Sequence, residues 1–147
     1  MSEACSTDVC DVPAGTTGPV GFEARPDYRI DLRRVRNRLT VTAGDTVLAE
    51  TTRPLLVDEQ DHGLVFYVPR ADVREQLLVA APDVSTRCPF KGEASYWRLA
   101  ADPSGDVVAW AYPDPLPQVA LIGEHIAFYQ DRVTVALGVA TPAVSGR

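Results

Sequence analysis

The stretch LTVTAGDTVLAETT, residues 39–52, alternates apolar and polar side chains on both sides of Gly44 and Asp45. Such alternation is typical of a strand with one buried face. A glycine-containing pair between two alternating runs indicates a tight hairpin turn. The stretch therefore predicts two antiparallel strands, and it sets the expectation of a β-rich fold.

Short runs of β-forming residues recur farther along the chain. LLVDE (55–59) and VFYVP (65–69) predict two strands separated by the turn-like QDHG. SYWRLA (95–100) and DVVAWAY (106–112) predict two more, joined by the turn DPSGD.

The last part of the chain predicts another hairpin, and the middle predicts a helix. HIAFY (125–129) and RVTVAL (132–137) are expected to pair across Gln130 and Asp131. The spacing of apolar residues in PRADVREQLL (69–78) predicts a short helix, and residues 118–122 predict a helical turn. Eight or so short strands with one or two short helices predict a mainly β domain of two antiparallel sheets or a barrel.

The length and composition indicate a single domain. A chain of 147 residues, 46% of them apolar, can fill one core. Residues 1–26 show little apolar periodicity and are expected to form a flexible leader. The domain is predicted over residues 27–137, with a flexible tail over residues 138–147.

The charge and hydropathy of the chain limit its partners. A net charge of -6 and a pI near 4.8 disfavour nucleic acid, whose binding depends on clustered Lys and Arg. The short basic run from Arg33 to Arg38 is interpreted as a solvated strand face or a set of ion pairs. With no 20-residue apolar window and no signal-peptide pattern, we expect a cytoplasmic protein without a membrane partner. Edge strands of a β fold can pair with a second copy, which leaves a homodimer open.

Cysteines and motifs give no sign of a metal or a cofactor. Cys5, Cys10 and Cys88 are an odd number without the dense spacing of a disulfide scaffold. Cys5 and Cys10 have no further Cys or His nearby to complete a zinc site. The glycine-rich, P-loop, nucleophile-elbow and zincin motifs do not occur. We therefore expect no metal and no cofactor.

The residues around Cys88 are the first candidates for chemistry. Arg87 and Lys91 could stabilise a Cys88 thiolate and make it a nucleophile, whereas a buried structural thiol is the alternative. Lys91 could bind an anion or act in proton transfer, or be a solvated turn residue. His125, in a predicted strand, is a candidate base or ligand-binding residue.

Glu59 and the aromatic residues are the other candidates. Glu59 closes an apolar strand and could be a general base, with a strand-edge ion pair as the alternative. Alternation predicts that Tyr96 and Trp97 face opposite sides of their strand. Tyr67, Tyr96, Trp110 and Tyr112 are candidates for substrate binding, with plain core packing as the alternative.

Four motifs in order resemble a known bacterial family, domain of unknown function 427. They are FYVPRADV (66–73), STRCPFKGEASYW (85–97), AWAYPDPLP (109–117) and IAFYQDRV (126–133), and the resemblance runs from about Arg36 to Val135. It implies a β-tent-like architecture, two antiparallel sheets around a cleft, similar to methionine sulfoxide reductase B and yippee-like domains. It implies no particular reaction.

These observations lead to one main functional hypothesis and two alternatives. The main hypothesis is a cofactor-independent enzyme, for example of secondary metabolism, that binds an organic metabolite in the cleft. It would catalyse proton transfer in a cyclisation, isomerisation or elimination, with Glu59 as the base. The alternatives are a non-catalytic module that binds a small ligand or a protein, and a thiol-dependent reductase that would need Cys5 or Cys10 as its resolving cysteine.

Overall fold

The structure, a computed structural model, describes residues 21–141, in which eleven strands and three short 3₁₀ helices follow one another. The strands are β1 (Ile30–Arg34), β2 (Asn37–Ala43), β3 (Thr46–Thr51), β4 (Leu55–Glu59), β5 (Val65–Pro69), β6 (Leu78–Ala80), β7 (Thr86–Cys88), β8 (Gly92–Leu99), β9 (Ala109–Ala111), β10 (His125–Phe128) and β11 (Thr134–Ala140). The 3₁₀ helices are Arg70–Asp72, Glu75–Leu77 and Pro117–Ile122.

All strand pairs are antiparallel, and the strands form two sheets. The large sheet has eight strands in the order β1-β4-β5-β10-β9-β8-β6, with β7 also paired to β8, and it curls into a half-barrel. The small sheet has the order β11-β2-β3. The predicted mainly β fold of two antiparallel sheets is confirmed.

The hairpin predicted from residues 39–52 is confirmed as β2 and β3. Ala43 pairs with Thr46, and Gly44 in the turn has a φ of 59°, a left-handed conformation that glycine adopts without strain. The next two predicted strands are β4 and β5, which pair with Leu55 opposite Tyr67.

The hairpin predicted across Gln130 and Asp131 is wrong. β10 lies in the large sheet between β5 and β9, whereas β11 pairs with β2 in the small sheet. The backbone N–H groups of Arg132 and Val133 both donate to the carbonyl of Tyr129, and this turn carries the chain from one sheet to the other.

The single helix predicted over residues 69–78 is wrong in form. Its place is taken by two 3₁₀ turns and the start of β6. Val73, between the two turns, is extended and forms a bridge with Ala49 of β3. Its side chain is buried against the small sheet, and this tertiary contact outweighs the local preference for a helix.

The two faces of the large sheet pack into two separate cores. One face packs against the small sheet through an inter-sheet core, which includes Leu39, Leu48, Val68, Ile126 and Phe128. The other face carries an aromatic core, which includes Tyr28, Tyr67, Phe90, Tyr96, Trp110, Tyr112 and Tyr129. Tyr96 lies in the aromatic core and Trp97 packs against the inter-sheet core, so their predicted opposite orientation is confirmed.

The segment before β1 covers part of the aromatic core. Within the leader predicted over residues 1–26, the structure describes residues 21–26, which form turns. The N–H groups of Ala24 and Arg25 donate to the carbonyl of Gly21, and Phe22 packs edge-on against Phe90 with ring centroids 5.1 Å apart. The rest of the leader, with Cys5 and Cys10, lies outside the described residues, as do residues 142–147 of the tail.

Helices within residues 21–141 are short. None of them has the length and apolar character that a membrane-spanning helix needs.

Candidate functional site

Glu59 lies at the centre of a buried polar cluster on the aromatic-core side of the large sheet. It is the last residue of β4, pairs with Ile30 of β1, and is 4% exposed. The Tyr28 hydroxyl donates to Glu59 Oε2 at 2.5 Å. The Lys91 ammonium donates to Glu59 Oε1. A cation and a hydroxyl therefore bind the two oxygens of one buried carboxylate.

The turn between β7 and β8 brings Lys91 to Glu59. The N–H group of Lys91 donates to the carbonyl of Cys88, and the carbonyl of Lys91 accepts from Leu116 at 2.9 Å. Gly92 has a φ of 120°, and a Cβ there would lie 3.2 Å from the carbonyl oxygen of Asp114. Because glycine allows both this conformation and this approach, the turn can fold inward and bury Lys91 at 2% exposure.

The rings of Tyr112 and Tyr28 and the thiol of Cys88 lie around the Lys91–Glu59 pair. The Lys91 nitrogen lies 5.9 Å from the ring centroid of Tyr112 and 3.9 Å from Cys88 Sγ. Phe90 stacks on Tyr28 with centroids 3.8 Å apart. The ion pair is thus enclosed by groups that exclude water, which strengthens its electrostatic interaction.

His62 also lies next to Glu59. Its Nδ1 is 3.8 Å from Glu59 Oε2 and 2.9 Å from the carbonyl oxygen of Gln60, and its side chain is 10% exposed. Neither His62 nor Tyr28 is among the residues that the sequence predicts for the site. The available signal was position: His62 follows Glu59 by three residues, and Tyr28 precedes the strand that pairs with β4.

Arg87 and Cys88 lie on opposite faces of β7. Cys88 is 2% exposed and points into the aromatic core, whereas Arg87 is exposed at the surface opposite Glu93. Arg87 lines a separate surface depression of about 280 Å³ with Phe22, Pro89 and Leu116. The structure therefore brings Cys88 to Lys91 and Glu59 and leaves Arg87 outside the cluster.

The aromatic candidates lie in the interior. Tyr67, Tyr96 and Tyr112 are at most 2% exposed, and Trp110 is 5% exposed. The Trp110 indole donates to the Tyr67 hydroxyl at 3.1 Å, and the Tyr96 hydroxyl lies 2.7 Å from the Thr86 hydroxyl. These rings are part of the aromatic core, and the Tyr112 ring lies next to the Lys91 ammonium.

His125 lies away from Glu59, towards the other end of the large sheet. Its Nδ1 is 2.7 Å from the carbonyl oxygen of Gly123, and its Nε2 is 3.2 Å from Arg34 Nη1. Burial lowers the pKa of His125, with smaller contributions from the positive charges of Arg34 and Arg53. A neutral imidazole fits both contacts, because Nδ1–H can donate to Gly123 while Nε2 accepts from Arg34.

The cluster around Glu59 has the groups for acid–base chemistry. A carboxylate, an ammonium, a phenol and an imidazole meet in one buried place, and these are the groups that proteins use as general acids and bases. The side chains of residues 21–141 contain no grouping of three His, Cys, Asp or Glu residues that could hold a metal ion.

Comparison with known protein families identifies a match for most of the chain. The model of a family described as a domain of unknown function, DUF427, matches residues 31–138. No curated protein matches the chain. The matched range contains β2 to β10 and the candidate residues Glu59 and Lys91, and it begins within β1, just after Tyr28.

Proposed function

This chain belongs to the DUF427 family, whose description names no activity, and we propose that it is a cofactor-independent enzyme that catalyses proton transfer on an organic metabolite. The observation that supports the proposal is the Glu59 carboxylate, held between Lys91 and Tyr28 in the interior. Cyclisations, isomerisations and eliminations each require a base that removes a proton and a group that stabilises the resulting negative charge.

Each residue of the cluster has a role in this proposal. Glu59 accepts a proton from a carbon or oxygen atom of the substrate. The Lys91 ammonium stabilises the negative charge that then develops on a substrate oxygen, and the Tyr28 hydroxyl donates a hydrogen bond to the same region. In an isomerisation, Glu59 returns the proton to a different substrate atom. In an elimination, the leaving group departs with a proton from Tyr28 or Lys91. Cys88 is the alternative nucleophile at this position.

Substrate entry requires the cluster to open. Glu59 is 4% exposed in the described conformation, and Tyr28 contacts it directly. Tyr28 belongs to the segment that precedes β1, whose Phe22 and Tyr28 rings pack on Phe90. Movement of this segment would uncover Glu59 while leaving the paired strands intact, and its return would bring the Tyr28 hydroxyl back to the bound substrate.

Deuterium exchange tests the proposal while the substrate is still unidentified. We would incubate the protein in D₂O with a panel of small carbonyl compounds that have acidic C–H groups and follow loss of the C–H signals by proton NMR. The wild type should accelerate exchange for at least one compound. The Glu59→Gln variant should lose most of this acceleration, because an amide cannot accept the proton.

A matched control separates the role of Glu59 from a general effect of charge. Glu93 lies on β8 and is exposed, so Glu93→Gln makes the same chemical change away from the cluster. Its exchange rate should equal that of the wild type. The proposal fails if the wild type accelerates no exchange in the panel, or if folded Glu59→Gln retains full acceleration.

A second candidate function is non-catalytic binding of a small ligand, which a surface groove favours. The groove has a volume of about 400 Å³ and is lined by β8, with Ser95, Tyr96 and Trp97, and by the end of β6 and the loop that follows it. This volume is within the usual range for small-molecule sites. Ser95→Phe should fill the groove, so a ligand that stabilises the wild type thermally and not Ser95→Phe would support this function.

A further inference from the structure

Two arginines and a histidine meet at the end of the large sheet that lies opposite Glu59. Along β4, Glu59 pairs with Ile30 and Leu55 pairs with Arg34. Four residue steps along the strand separate these two positions, a distance of roughly 13 Å. The group formed by Arg34, Arg53 and His125 is therefore distinct from the Glu59 cluster.

Hydrogen bonds hold the Arg34 guanidinium in one position. Its Nη1 donates to the carbonyl oxygen of Arg53 at 2.7 Å and lies 3.2 Å from His125 Nε2. His125 is in turn fixed by Gly123, whose carbonyl oxygen is 2.7 Å from Nδ1. His125 thus acts as a positioning residue: as a neutral acceptor, it orients the guanidinium and leaves Arg34 Nε and Nη2 to donate elsewhere.

No carboxylate in the described part of the chain neutralises the charges of Arg34 and Arg53. Within residues 21–141, no Asp or Glu oxygen lies within ion-pair distance of either guanidinium. Arg70 and Arg98 are partly buried like Arg34, and each binds a carboxylate. Burial lowers the pKa of Arg34, and the positive charge of Arg53 lowers it further. A bound anion would relieve this repulsion.

We propose that Arg34 and Arg53 form a binding site for the phosphate group of a small molecule. A guanidinium is planar and presents paired N–H donors that match two phosphate oxygens. Arg34 is fixed and half-buried, whereas Arg53 is exposed in the loop between β3 and β4. The first provides a rigid donor plane, and the second can close over the anion from the solvent side.

Calorimetric titration tests this proposal with two probes. Inorganic phosphate and glycerol phosphate would each be titrated into the protein at constant ionic strength, with sodium chloride as the balancing salt. We expect the wild type to bind phosphate saturably. Arg53→Gln should bind it at least about tenfold more weakly, which corresponds to a loss of about 1.4 kcal/mol of binding free energy. Tighter binding of glycerol phosphate would indicate a phosphorylated metabolite, and equal binding would indicate free phosphate as the ligand.

A control variant distinguishes a site from a general attraction of anions. Arg33 precedes Arg34 on β1, points to the other face of the strand and is exposed. Arg33→Gln removes the same charge and should change phosphate affinity less than about twofold, since salt screens separated surface charges. Arg34→Gln should abolish binding, and circular dichroism would establish that it is folded. If it does not fold, the exposed Arg53 variant decides the question.

Two results would overturn the proposal. One is the absence of saturable phosphate binding by the wild type. The other is an equal loss of affinity in Arg53→Gln and Arg33→Gln. Neither outcome depends on Glu59, so failure of this site and failure of the proposed proton transfer are distinguishable.

Discussion

Replacing Lys91 by methionine removes the ammonium group from the buried cluster and leaves the Glu59 carboxylate in place. Methionine is close to lysine in length and unbranched, so the substitution keeps most of the packing against Tyr112 and Cys88. The substitution leaves the negative charge of Glu59 without its cation. Water cannot replace that cation, because Glu59 is 4% exposed and Lys91 is 2% exposed.

The expected loss of stability is large because the remaining charge has little contact with water. Removing one partner of a buried ion pair typically costs about 3–5 kcal/mol, whereas the whole folding free energy of a domain is only about 5–15 kcal/mol. The double variant Glu59→Gln/Lys91→Met removes both charges and should lie within about 2 kcal/mol of the wild type, since the pair as a whole contributes little net stability.

Urea unfolding followed by tryptophan fluorescence measures these differences. With a urea dependence of about 2 kcal/mol per molar, the midpoint of Lys91→Met should fall by roughly 2 M. Arg38→Met provides the matched control, because Arg38 and Glu50 form a surface pair whose side chains are 52% and 47% exposed. That control should change stability by less than about 1 kcal/mol.

Two outcomes would refute the argument. If Lys91→Met costs less than about 1 kcal/mol, the Glu59 carboxylate is not buried with Lys91 as described. If the double variant is as unstable as the sum of the two single variants, the two charges do not interact, and the cluster is not a coupled unit.

Three further predictions concern other contacts of the fold, and each is measured by urea unfolding. Tyr28→Phe removes a hydrogen bond to the Glu59 carboxylate and should cost about 1–3 kcal/mol; no loss would exclude that bond. The lowered pKa of His125 means that the unfolded chain binds a proton more readily, so stability should fall as pH decreases below 6.5, and His125→Asn should remove this slope. If stability depends on pH in His125→Asn as it does in the wild type, other titratable groups cause that dependence. Gly21→Ala should destabilise the fold more than Gly44→Ala. Both glycines have positive φ, but only a Cβ at residue 21 would collide with another group, the carbonyl oxygen of Pro89. Equal losses of stability would contradict the packing of residue 21 on Pro89.

Features set by neighbouring residues were predictable from the sequence. The alternation in residues 39–52 and the Gly44 turn predicted the β2–β3 hairpin correctly, and alternation also placed Tyr96 and Trp97 on opposite faces. These predictions held because the pattern and the structure it specifies lie within the same few residues.

Features set by distant partners were not predictable in the same way. The run after Tyr129 has the alternation of a hairpin strand, but alternation does not identify the neighbour, and β11 pairs with β2 rather than β10. The extended conformation of Val73 likewise depends on its bridge to Ala49.

The candidate site has features of both kinds. Glu59 and Lys91 could be selected by residue type, because a carboxylate at the end of an apolar strand and a lysine before Gly92 are local signals. That they touch could not be known from the sequence, since the contact depends on an inward fold of the turn between β7 and β8. For Tyr28 and His62 the sequence offers only their positions relative to β4, and their contacts with Glu59 become visible only in the structure.

The pairing of β11 with β2 constrains the order in which the protein can be made and folded. Thr42 and Thr134 are partners, so one side of the β2–β3 hairpin stays without its neighbouring strand until most of the chain has left the ribosome. At about 5–20 residues per second, the intervening stretch takes on the order of ten seconds to synthesise. During that interval Leu39 and Val41, which end up almost completely buried, have no β11 beside them. The nascent chain therefore exposes an unpaired, aggregation-prone strand edge for seconds. Cells that produce the protein rapidly should depend on chaperones that shield exposed strands.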